Sequence, residues 1–512
     1  MTSPYYATAI PHYDWIASYG RRTPDKLATV DLYSNRRRTY REFDNRIGRA
    51  ALALRHGFGI GRGDRVAVLA PNSIDVFELQ FACGRVGAIL LPLNWRLTVH
   101  ELAFIVGDAT PKLLIFDRAY VEEATALKAR HGVPAVLMLD GGANDSPYEQ
   151  ALAAAAGDLP PIALSHGDVM AILYTSGTTG HPKGAIITYG MTFWNCVNVG
   201  MPTRIASDAV TLSVAPLFHT AGLNLFANPC FHAGASVLVM RTFDPGQALD
   251  LISDATIGIT HFWGVPAHYL FMMQHERFAT ADFSRLVCAC VGGAPAPLSL
   301  LEAWTGRGVA LQQGYGMTET SPTILVIDAE QAIRKIGSAG LPVLHTEVRL
   351  VTVAGSDASP GEIGEIWTRG PNVTPGYWNR PEADASSFTD GWLHTGDAAW
   401  QDDDGFYYVV DRWKDMYISG GENVYPAEVE NALYELAGVA EAAVIGIPNE
   451  RLGEVGKAFV VPQVGAELTA AAVLEHCRKR LAKFKMPADV VFIDKLPRTT
   501  SGKVLKRELK PQ

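Results

Sequence analysis

Short apolar runs, each bounded by turn-forming residues, recur along the N-terminal part of this chain. Such runs are typical of strands that are buried on both faces of a sheet. Longer stretches of helical character lie between several of them, and residues 74–88 are one example. The strands predicted on this basis are residues 65–69, 113–116, 135–139, 171–174, 211–215, 235–240 and 286–291.

This alternation predicts an α/β fold, because parallel strands need long crossover connections that cover the sheet. Residues 141–168 mix Gly, Ala, Pro and acidic residues, which indicates a connecting loop with a short helix. Towards the C-terminus a new pattern begins, with a helix predicted at 427–436 and strands at 442–447 and 457–461.

A domain boundary is expected at the charged stretch 411–414, ahead of this new pattern. A chain of 512 residues is also too long for one small core. We therefore predict a large N-terminal domain of mixed sheets with covering helices, residues 1–411, and a small C-terminal α+β domain, residues 412–512.

Composition narrows the classes of function. Hydrophobic residues make up 48% and charged residues 19% of the chain, as in ordinary globular proteins. The net charge of -9 argues against nucleic acid as a partner, because phosphate backbones are held by Lys and Arg. Residues 477–512 alone carry eleven basic and three acidic residues, which by charge alone indicates a solvated surface.

Cysteine usage and hydropathy suggest a cytoplasmic protein without an integral membrane segment. Six cysteines occur without a paired C-x-x-C motif, and Cys288 and Cys290 fall in an apolar run that favours a buried strand over a metal site. No run reaches the roughly 18 apolar residues that a membrane span needs. The oligomeric state is left open between a monomer and a homodimer.

The loop at residues 174–184, with the sequence YTSGTTGHPKG, follows a predicted strand. Its glycines allow backbone N–H groups to converge on an anion, its hydroxyls add donors, and Lys183 supplies positive charge. It is not a Walker loop, since Gly184 rather than Ser or Thr follows the lysine. An ordinary polar turn rarely combines so many permissive and donor residues.

Other common catalytic signatures are missing from the sequence. The segment 314–319, GYGMTE, breaks the dinucleotide-binding pattern at its last position, and no serine lies in G-x-S-x-G. Neither His-Glu pair, at His100 and His275, has the second histidine of a zincin motif. Dehydrogenase, serine esterase and zincin interpretations are therefore disfavoured.

Five segments together resemble the motifs of the adenylate-forming superfamily, which contains acyl-CoA synthetases, adenylation domains of peptide synthetases and beetle luciferases. Their order and spacing along almost the whole chain agree with that family. They are the loop 174–184, QGYGMTE at 313–319, WLHTGD at 392–397, the stretch 411–430 and PRTTSGK at 497–503.

The resemblance implies ATP, Mg²⁺ and coenzyme A as cofactors or co-substrates. Asp397 would accept hydrogen bonds from the ribose, with Arg412 nearby, and Tyr315 would stack on adenine. Residues 419–421 would border a tunnel for pantetheine. The implied nucleotide and coenzyme A contacts are Thr175, Ser176, Gly177, Thr178, Thr179, Lys183, Gly293, Ala294, Pro295, Gly314, Tyr315, Gly316, Asp397, Arg412, Ser419, Gly420 and Gly421.

Four residues are implied in catalysis. Lys503 would stabilise the charge that grows on the α-phosphate, and Thr318 and Glu319 would position phosphate and metal, with Glu319 as the Mg²⁺ ligand. His219 would lie between the acyl carbonyl and the thiol tunnel and position substrate. By itself His219 has the pattern of a core histidine, and Lys503 that of a surface lysine.

Acid specificity is expected from residues 220–223, 263–265 and 317–322. The implied acid contacts are His219, Ala221, Gly222, Trp263, Gly316 and Met317. Ala221 and Gly222 are small, so a roomy pocket is expected beside His219. Lys414 is the expected hinge for a mobile C-terminal domain that rotates between two half-reactions.

Two positions depart from many relatives: Tyr189 stands where a histidine is common after the phosphate loop, and Ile418 where plant coumarate ligases carry lysine. No role is assigned to either. The prediction is an ATP-dependent carboxylic acid–CoA ligase that forms acyl-AMP and pyrophosphate, then acyl-CoA and AMP, on a medium-chain fatty or aryl acid.

Three alternatives stay open at this point: an adenylation enzyme that loads a carrier protein, a luciferase-like oxygenase and a non-catalytic binding protein of the same fold. The presence of both Glu319 and Lys503 speaks against the last of these.

Overall fold

The computed structural model describes residues 10–140, 145–175, 182–412, 415–419, 422–449, 451–498 and 504–509. The strands of the N-terminal part are β1 (Leu27–Asp31), β2 (Arg36–Thr39), β3 (Arg65–Leu69), β4 (Ile89–Pro92), β5 (Leu113–Asp117), β6 (Ala135–Leu139), β7 (Val169–Thr175), β8 (Lys183–Thr188), β9 (Val210–Ser213), β10 (Ser236–Val239), β11 (His261–Gly264), β12 (Cys288–Gly292), β13 (Leu311–Gly316), β14 (Thr323–Val326) and β15 (Leu341–Pro342). The later strands are β16 (Glu347–Val351), β17 (Gly364–Arg369), β18 (Phe388–Thr389), β19 (Trp392–Gln401), β20 (Tyr407–Arg412), β21 (Tyr417–Ser419), β22 (Glu422–Val424), β23 (Val439–Asn449), β24 (Gly453–Pro462) and β25 (Pro487–Phe492).

Helices cover these strands. They are α1 (Trp15–Arg22), α2 (Tyr40–Leu52), α3 (Ile74–Val86), α4 (Val99–Ala109), α5 (Val121–His131), α6 (Pro147–Ala154), α7 (Tyr189–Gly200), α8 (Ala227–Ala233), α9 (Pro245–Ser253), α10 (Pro266–Gln274), α11 (Leu298–Thr305), α12 (Ala329–Arg334), α13 (Pro381–Ser387), α14 (Pro426–Tyr434) and α15 (Ala470–Arg478). Shorter π or 3₁₀ turns are Ala53–Gly57, Arg118–Tyr120, Ala221–Leu225, Glu276–Ala279, Thr318–Thr320, Lys483–Lys485 and Lys506–Glu508.

Two sheets form the frame of the N-terminal part. The first has the order β6-β5-β3-β4-β7-β8 and is parallel except for the pair β7–β8. The second has the order β15-β14-β13-β12-β11-β9-β10-β1-β2, with a parallel centre and antiparallel edges. Apolar residues of α2, α3 and α8 pack between the two, as Phe43, Phe77 and Phe231 illustrate.

Two smaller antiparallel-rich sheets follow. One has the order β16-β17-β19-β18, with β20 paired to β19. The other, in the C-terminal part, has the order β22-β21-β24-β23 with β25 parallel to β24, and α14 and α15 pack on it around Val429, Leu433 and Val473. The predicted fold class, with a large N-terminal and a smaller C-terminal domain, is confirmed.

Local sequence explains several boundaries. Helices α2 and α4 each follow a threonine that caps the helix N-terminus. The threonine hydroxyl accepts the backbone N–H of a glutamate three residues later, and the carboxylate of that glutamate accepts the threonine N–H. Helix α3 ends at Gly87, whose φ of 71° suits glycine.

Each of the nine predicted strands overlaps an observed strand, and the predicted helices at 74–88 and 427–436 correspond to α3 and α14. Within the run 286–291 the strand begins only at Cys288, because the Leu286 N–H donates to the Phe283 carbonyl in the preceding turn; Val287 is 38% exposed. All six cysteines are buried and unpaired. Across the described ranges, every helix is too short or too polar to cross a membrane.

Candidate active site

The carboxyl ends of β9, β11, β12 and β13 open onto one cleft of about 2470 Å³. In open α/β sheets this edge is where ligands bind. Tyr425, Glu428 and Lys506 of the C-terminal part also line the cleft. Most of the predicted motifs that the structure describes therefore meet in one place.

The phosphate loop joins β7 to β8, with Thr175 paired to Lys183 across the two strands. Both residues line the cleft, and the Lys183 ammonium lies 5.2 Å from the centre of the Tyr377 ring. Among the predicted loop contacts, Ser176, Gly177, Thr178 and Thr179 lie outside the described residues.

Tyr174 has a supporting position at the base of this loop. Its hydroxyl donates to Asp108 Oδ2 at 2.6 Å, and Arg380 lies 2.9 Å from the same carboxylate. Burial and the hydrogen bond to Asp108 raise the pKa of Tyr174, so the hydroxyl stays a donor. A Cβ at Gly184 would lie 2.7 Å from Ile172, so the strand after the loop requires glycine.

The predicted nucleotide contacts lie on neighbouring strand ends. Gly293 has a φ of 80°, and Ala294 and Pro295 follow it along the cleft wall. The Tyr315 hydroxyl donates to Asp397 Oδ2 at 2.6 Å, so the two residues predicted to hold adenine and ribose contact each other. Arg412 is the strand partner of Asp397 between β20 and β19.

Glu319 is buried, with 5% of its surface exposed, and lines the cleft within the turn Thr318–Thr320. The Tyr377 hydroxyl donates to its Oε1 at 2.8 Å, and the Thr374 N–H donates to its backbone carbonyl at 2.7 Å. Burial and the neighbouring carboxylate raise the pKa of Tyr377, which keeps it a donor. Glu319 is thereby held at a defined position.

This donor set fits Mg²⁺. No cluster of three or more His, Cys, Asp or Glu side chains suited to a metal occurs in the part of the chain that the structure describes. Mg²⁺ is usually held by one or two carboxylates, and substrate phosphates and water complete its coordination. One buried carboxylate facing a nucleotide cleft meets that requirement.

His219 follows β9 and lines the cleft, with its ring 4.6 Å from that of Phe218. Ala221, Trp263, Gly316 and Met317 line the same cleft.

Gly222, also predicted to contact the acid, is buried, and a Cβ there would lie 2.2 Å from the Pro216 carbonyl oxygen. Its small size therefore accommodates the backbone of the turn. Leu223, beside it, is fully buried.

The apolar end of the cleft is formed by Leu225, Trp263, Val265 and Cys290. Burial raises the pKa of the Cys290 thiol to about 12, so this wall is uncharged at neutral pH. The Thr323 hydroxyl is also buried on the cleft wall and has no hydrogen-bond partner among the described residues.

The structure describes only some of the site residues predicted in the C-terminal part. Ser419 is buried in the C-terminal sheet, where it pairs with Gly453. Gly420, Gly421, Lys503 and the hinge residue Lys414 lie outside the described residues, so their roles and the boundary near 411–414 stay predictions.

The structure also describes the two positions that depart from many relatives. The Tyr189 ring packs on His12, with centroids 4.2 Å apart, beside a separate cavity of about 490 Å³. Ile418 belongs to β21.

Sequence reasoning missed several residues that shape the site. Tyr377 and Thr374 hold Glu319, Asp108 holds Tyr174, and Thr323 lines the cleft. Each stands outside the motif that it supports, and no spacing pattern marks it. Only the folded chain brings these residues to the cleft.

The chain matches the sequence models of two families: "AMP-binding enzyme" over residues 16–378 and "AMP-binding enzyme C-terminal domain" over residues 428–503. It is 45% identical to a feruloyl-CoA synthase of Amycolatopsis sp over 97% of this chain and 98% of the relative. It is 38% identical to an indoleacetate–CoA ligase of Aromatoleum aromaticum over 97% of each.

Solved structures of CoA synthetases and of MatB are similar to this fold over nearly the whole chain. ATP-bound MatB from Rhodopseudomonas palustris superposes with a TM-score of 0.89 at 34% identity, over 97% of this chain and 98% of that one. The o-succinylbenzoate CoA synthetase from Bacillus subtilis, in complex with its acyl-adenylate, gives a TM-score of 0.87 at 31% identity, over 98% and 99%.

Proposed function

This chain belongs to the AMP-binding enzyme family and is an ATP-dependent acid–coenzyme A ligase, and we propose that its acid is an aryl acid with a polar ring substituent, such as a hydroxycinnamic acid. The relatives are named as CoA ligases, so the carrier-protein alternative has no support from them. The identity of the acid is the part that we propose.

The observation that carries this proposal is the Thr323 hydroxyl. The residue is 4% exposed and lines the cleft, and its buried hydroxyl lacks a partner within the described ranges. A buried hydroxyl without a partner costs about 1–3 kcal/mol. A ring hydroxyl or methoxy oxygen would recover that cost, whereas an alkyl chain would not.

The apolar surroundings suit the ring itself. Trp263, Val265 and Cys290 present an aromatic, an aliphatic and a neutral thiol surface to the cleft. Such walls discriminate weakly between apolar groups, by about 1–3 kcal/mol per methylene, so a polar contact is needed for sharper selection. The 45% identical relative named as a feruloyl-CoA synthase agrees with this class of acid.

In the first half-reaction, a carboxylate oxygen of the acid forms a bond to the α-phosphorus of ATP, and pyrophosphate leaves. Asp397, oriented by Tyr315, would hold the ribose, and Thr175 and Lys183 would contact phosphate oxygens. Because the carboxylate is already a nucleophile, these residues act by alignment and by charge stabilisation. Lys503 would supply the positive charge at the α-phosphate.

Glu319 would hold Mg²⁺, with Thr318 beside it and Tyr377 orienting the carboxylate. When bound, Mg²⁺ neutralises charge on the phosphates. The buried position of Glu319 keeps its carboxylate directed into the cleft.

In the second half-reaction, the sulfur of coenzyme A attacks the acyl carbonyl, the thioester bond forms and AMP leaves. His219 would position the acyl group at the start of this path, and residues 419–421 would border the thiol path after rotation about Lys414. No general base is required, since a thiol with a pKa of about 8.5 ionises appreciably in a positive site.

We also propose the substrates and the cellular location of this enzyme. Coenzyme A and a small acid act as substrates, and six buried free cysteines support a reducing, cytoplasmic environment. Sedimentation analysis would distinguish a monomer from a homodimer.

The test compares kcat/KM of the full-length enzyme for 4-hydroxycinnamate, cinnamate and octanoate, with coenzyme A present. We expect the hydroxylated acid to be preferred. Thr323→Val removes the hydroxyl at nearly constant shape, so kcat/KM for 4-hydroxycinnamate should fall roughly 3- to 10-fold, the equivalent of one hydrogen bond. The value for cinnamate should stay or rise.

Two results would contradict the proposal. Octanoate as the best substrate of the unmodified enzyme would exclude the aryl class. An equal fall in kcat/KM for cinnamate and 4-hydroxycinnamate in Thr323→Val would show that the Thr323 hydroxyl does not bind the ring substituent.

A further inference from the structure

We propose that a chain of four buried polar side chains, Gln80, Asn228, Asn224 and Ser321, is a positioning device that sets the metal-side turn of the cleft relative to the acid-side turn. We call it the amide chain. Its members are each no more than 3% exposed. It rests on the roles proposed above for Glu319 and His219.

The amide chain is continuous. Gln80 Nε2 donates to Asn228 Oδ1 at 2.9 Å, Asn228 Nδ2 donates to Asn224 Oδ1 at 2.6 Å, and Asn224 Nδ2 donates to Ser321 Oγ at 3.1 Å. Each amide therefore fixes the orientation of the next. Because Asn224 accepts on its oxygen from Asn228, its N–H₂ group is directed to Ser321.

The last bond of the amide chain joins the two turns that matter for the reaction. Asn224 lies in the π turn Ala221–Leu225, which begins two residues after His219. Ser321 directly follows the turn Thr318–Thr320, which carries Glu319. The acid side and the metal side of the cleft are thus linked by one buried hydrogen bond.

The backbone conformation of Ser321 requires stabilising contacts. It is fully buried and has a φ of 63°, in the left-handed region that non-glycine residues adopt at a cost. A conformation of this kind persists when its surroundings over-determine it. The hydrogen bond from Asn224 Nδ2 is one such constraint.

Other groups constrain the same turn from the segment between β17 and α13. Asn372 Nδ2 donates to the carbonyl oxygens of Thr320 and Thr323, at 3.0 and 2.9 Å. Tyr377 holds the Glu319 carboxylate. These contacts relate the turn to that segment, and the amide chain relates it to the His219 turn.

A buried polar chain is a costly way to fill space, since apolar side chains pack without hydrogen-bond requirements. The amide chain instead fixes the relative orientation of the two turns, because hydrogen bonds between side-chain amides form only in a narrow range of geometries. The expected consequence is specific to adenylation, which needs acid, ATP and metal aligned together, whereas thioester formation from acyl-AMP does not use the metal side.

The experiment measures the two half-reactions separately in Asn224→Ala, Ser321→Ala and the double variant. Pyrophosphate release reports adenylation, and thioester formation from supplied acyl-AMP and coenzyme A reports the second step. We expect kcat for adenylation to fall roughly 10-fold or more in each single variant, with little change in KM for ATP. The second step should stay within about 3-fold.

The double variant tests whether the two residues act as a unit. If the hydrogen bond between them carries the effect, the double variant should be hardly worse than either single variant, because interacting groups are non-additive. A merely structural role would lower the melting temperature and both half-reactions together.

Tyr40→Phe is the control, because it removes a fully buried hydroxyl that donates to the Ala235 carbonyl at 2.7 Å, away from the cleft. It should lower stability and leave the ratio of the half-reactions unchanged.

The inference is overturned if Ser321→Ala, which deletes one oxygen, leaves adenylation unchanged, or if the variants are additive or lower both steps alike. Every assay uses the acid that the unmodified enzyme adenylates best. A wrong substrate proposal therefore changes the acid but not the ratio of the half-reactions.

Discussion

The carboxylate of Glu319 is oriented by a tyrosine 58 residues further along the chain. Removing a residue that hydrogen-bonds to a metal-binding side chain typically lowers metal affinity by about 10- to 100-fold. Tyr377 also lies beside Lys183, so one side chain contacts both Glu319 and Lys183.

Tyr377→Phe should therefore raise the Mg²⁺ concentration at half-maximal adenylation by roughly 10-fold, because the carboxylate loses the donor that orients it. The measurement is a Mg²⁺ titration of pyrophosphate release at saturating ATP and acid. Tyr407→Phe is the matched control, since its hydroxyl donates to the Val348 carbonyl at 3.2 Å, between β20 and β16 and away from the cleft. An unchanged Mg²⁺ titration in Tyr377→Phe would exclude the orienting role.

At the scale of elements, the turns after the strands decide the geometry of the site. The sequence suggests that Gly222 makes the acid pocket roomy. In the structure its α-carbon packs against the Pro216 carbonyl, so glycine there allows the π turn after His219 to close. Gly316 has a similar place, since a Cβ would overlap the Pro322 carbonyl oxygen.

Gly222→Ala should shift the turn that carries His219 and Ala221, and lower kcat/KM for the acid by at least roughly 10-fold. Gly200→Ala is the control, because a Cβ at the end of α7 would meet nothing within 4 Å. Both variants are compared by acid turnover and melting temperature. Full activity in Gly222→Ala would mean that the turn tolerates the displacement.

At the scale of the whole molecule, the cleft has walls from both the N-terminal and the C-terminal part of the chain. Two half-reactions with different partners favour a C-terminal domain that presents different faces to one site. Lys503 would belong to the adenylation arrangement, and residues 419–421 to the thioester arrangement.

Lys503→Ala should abolish adenylation, with a loss of at least roughly 100-fold, and leave much of the transfer from supplied acyl-AMP to coenzyme A. Stopped assays of the two half-reactions on the same folded variant give this ratio. Equal loss in both steps would contradict domain alternation.

The sequence predicted the fold class and the main strands because these depend on local hydrophobic runs, which β3 and β6 follow to the residue. It also predicted the nucleotide motifs, because glycines, hydroxyls and charged residues at fixed spacing carry their chemistry within a few positions. Family membership is confirmed by two family models, which match residues 16–378 and 428–503.

What the sequence could not contain is the set of contacts between distant segments. The pairs Tyr377–Glu319, Tyr315–Asp397 and Asn224–Ser321 are separated by 58, 82 and 97 residues. Their side chains meet only because two sheets and their strand ends converge on one cleft. The sequence by itself thus determined which chemistry the chain carries, and the tertiary structure decided which side chains orient it, because orientation depends on buried hydrogen bonds that no local pattern encodes.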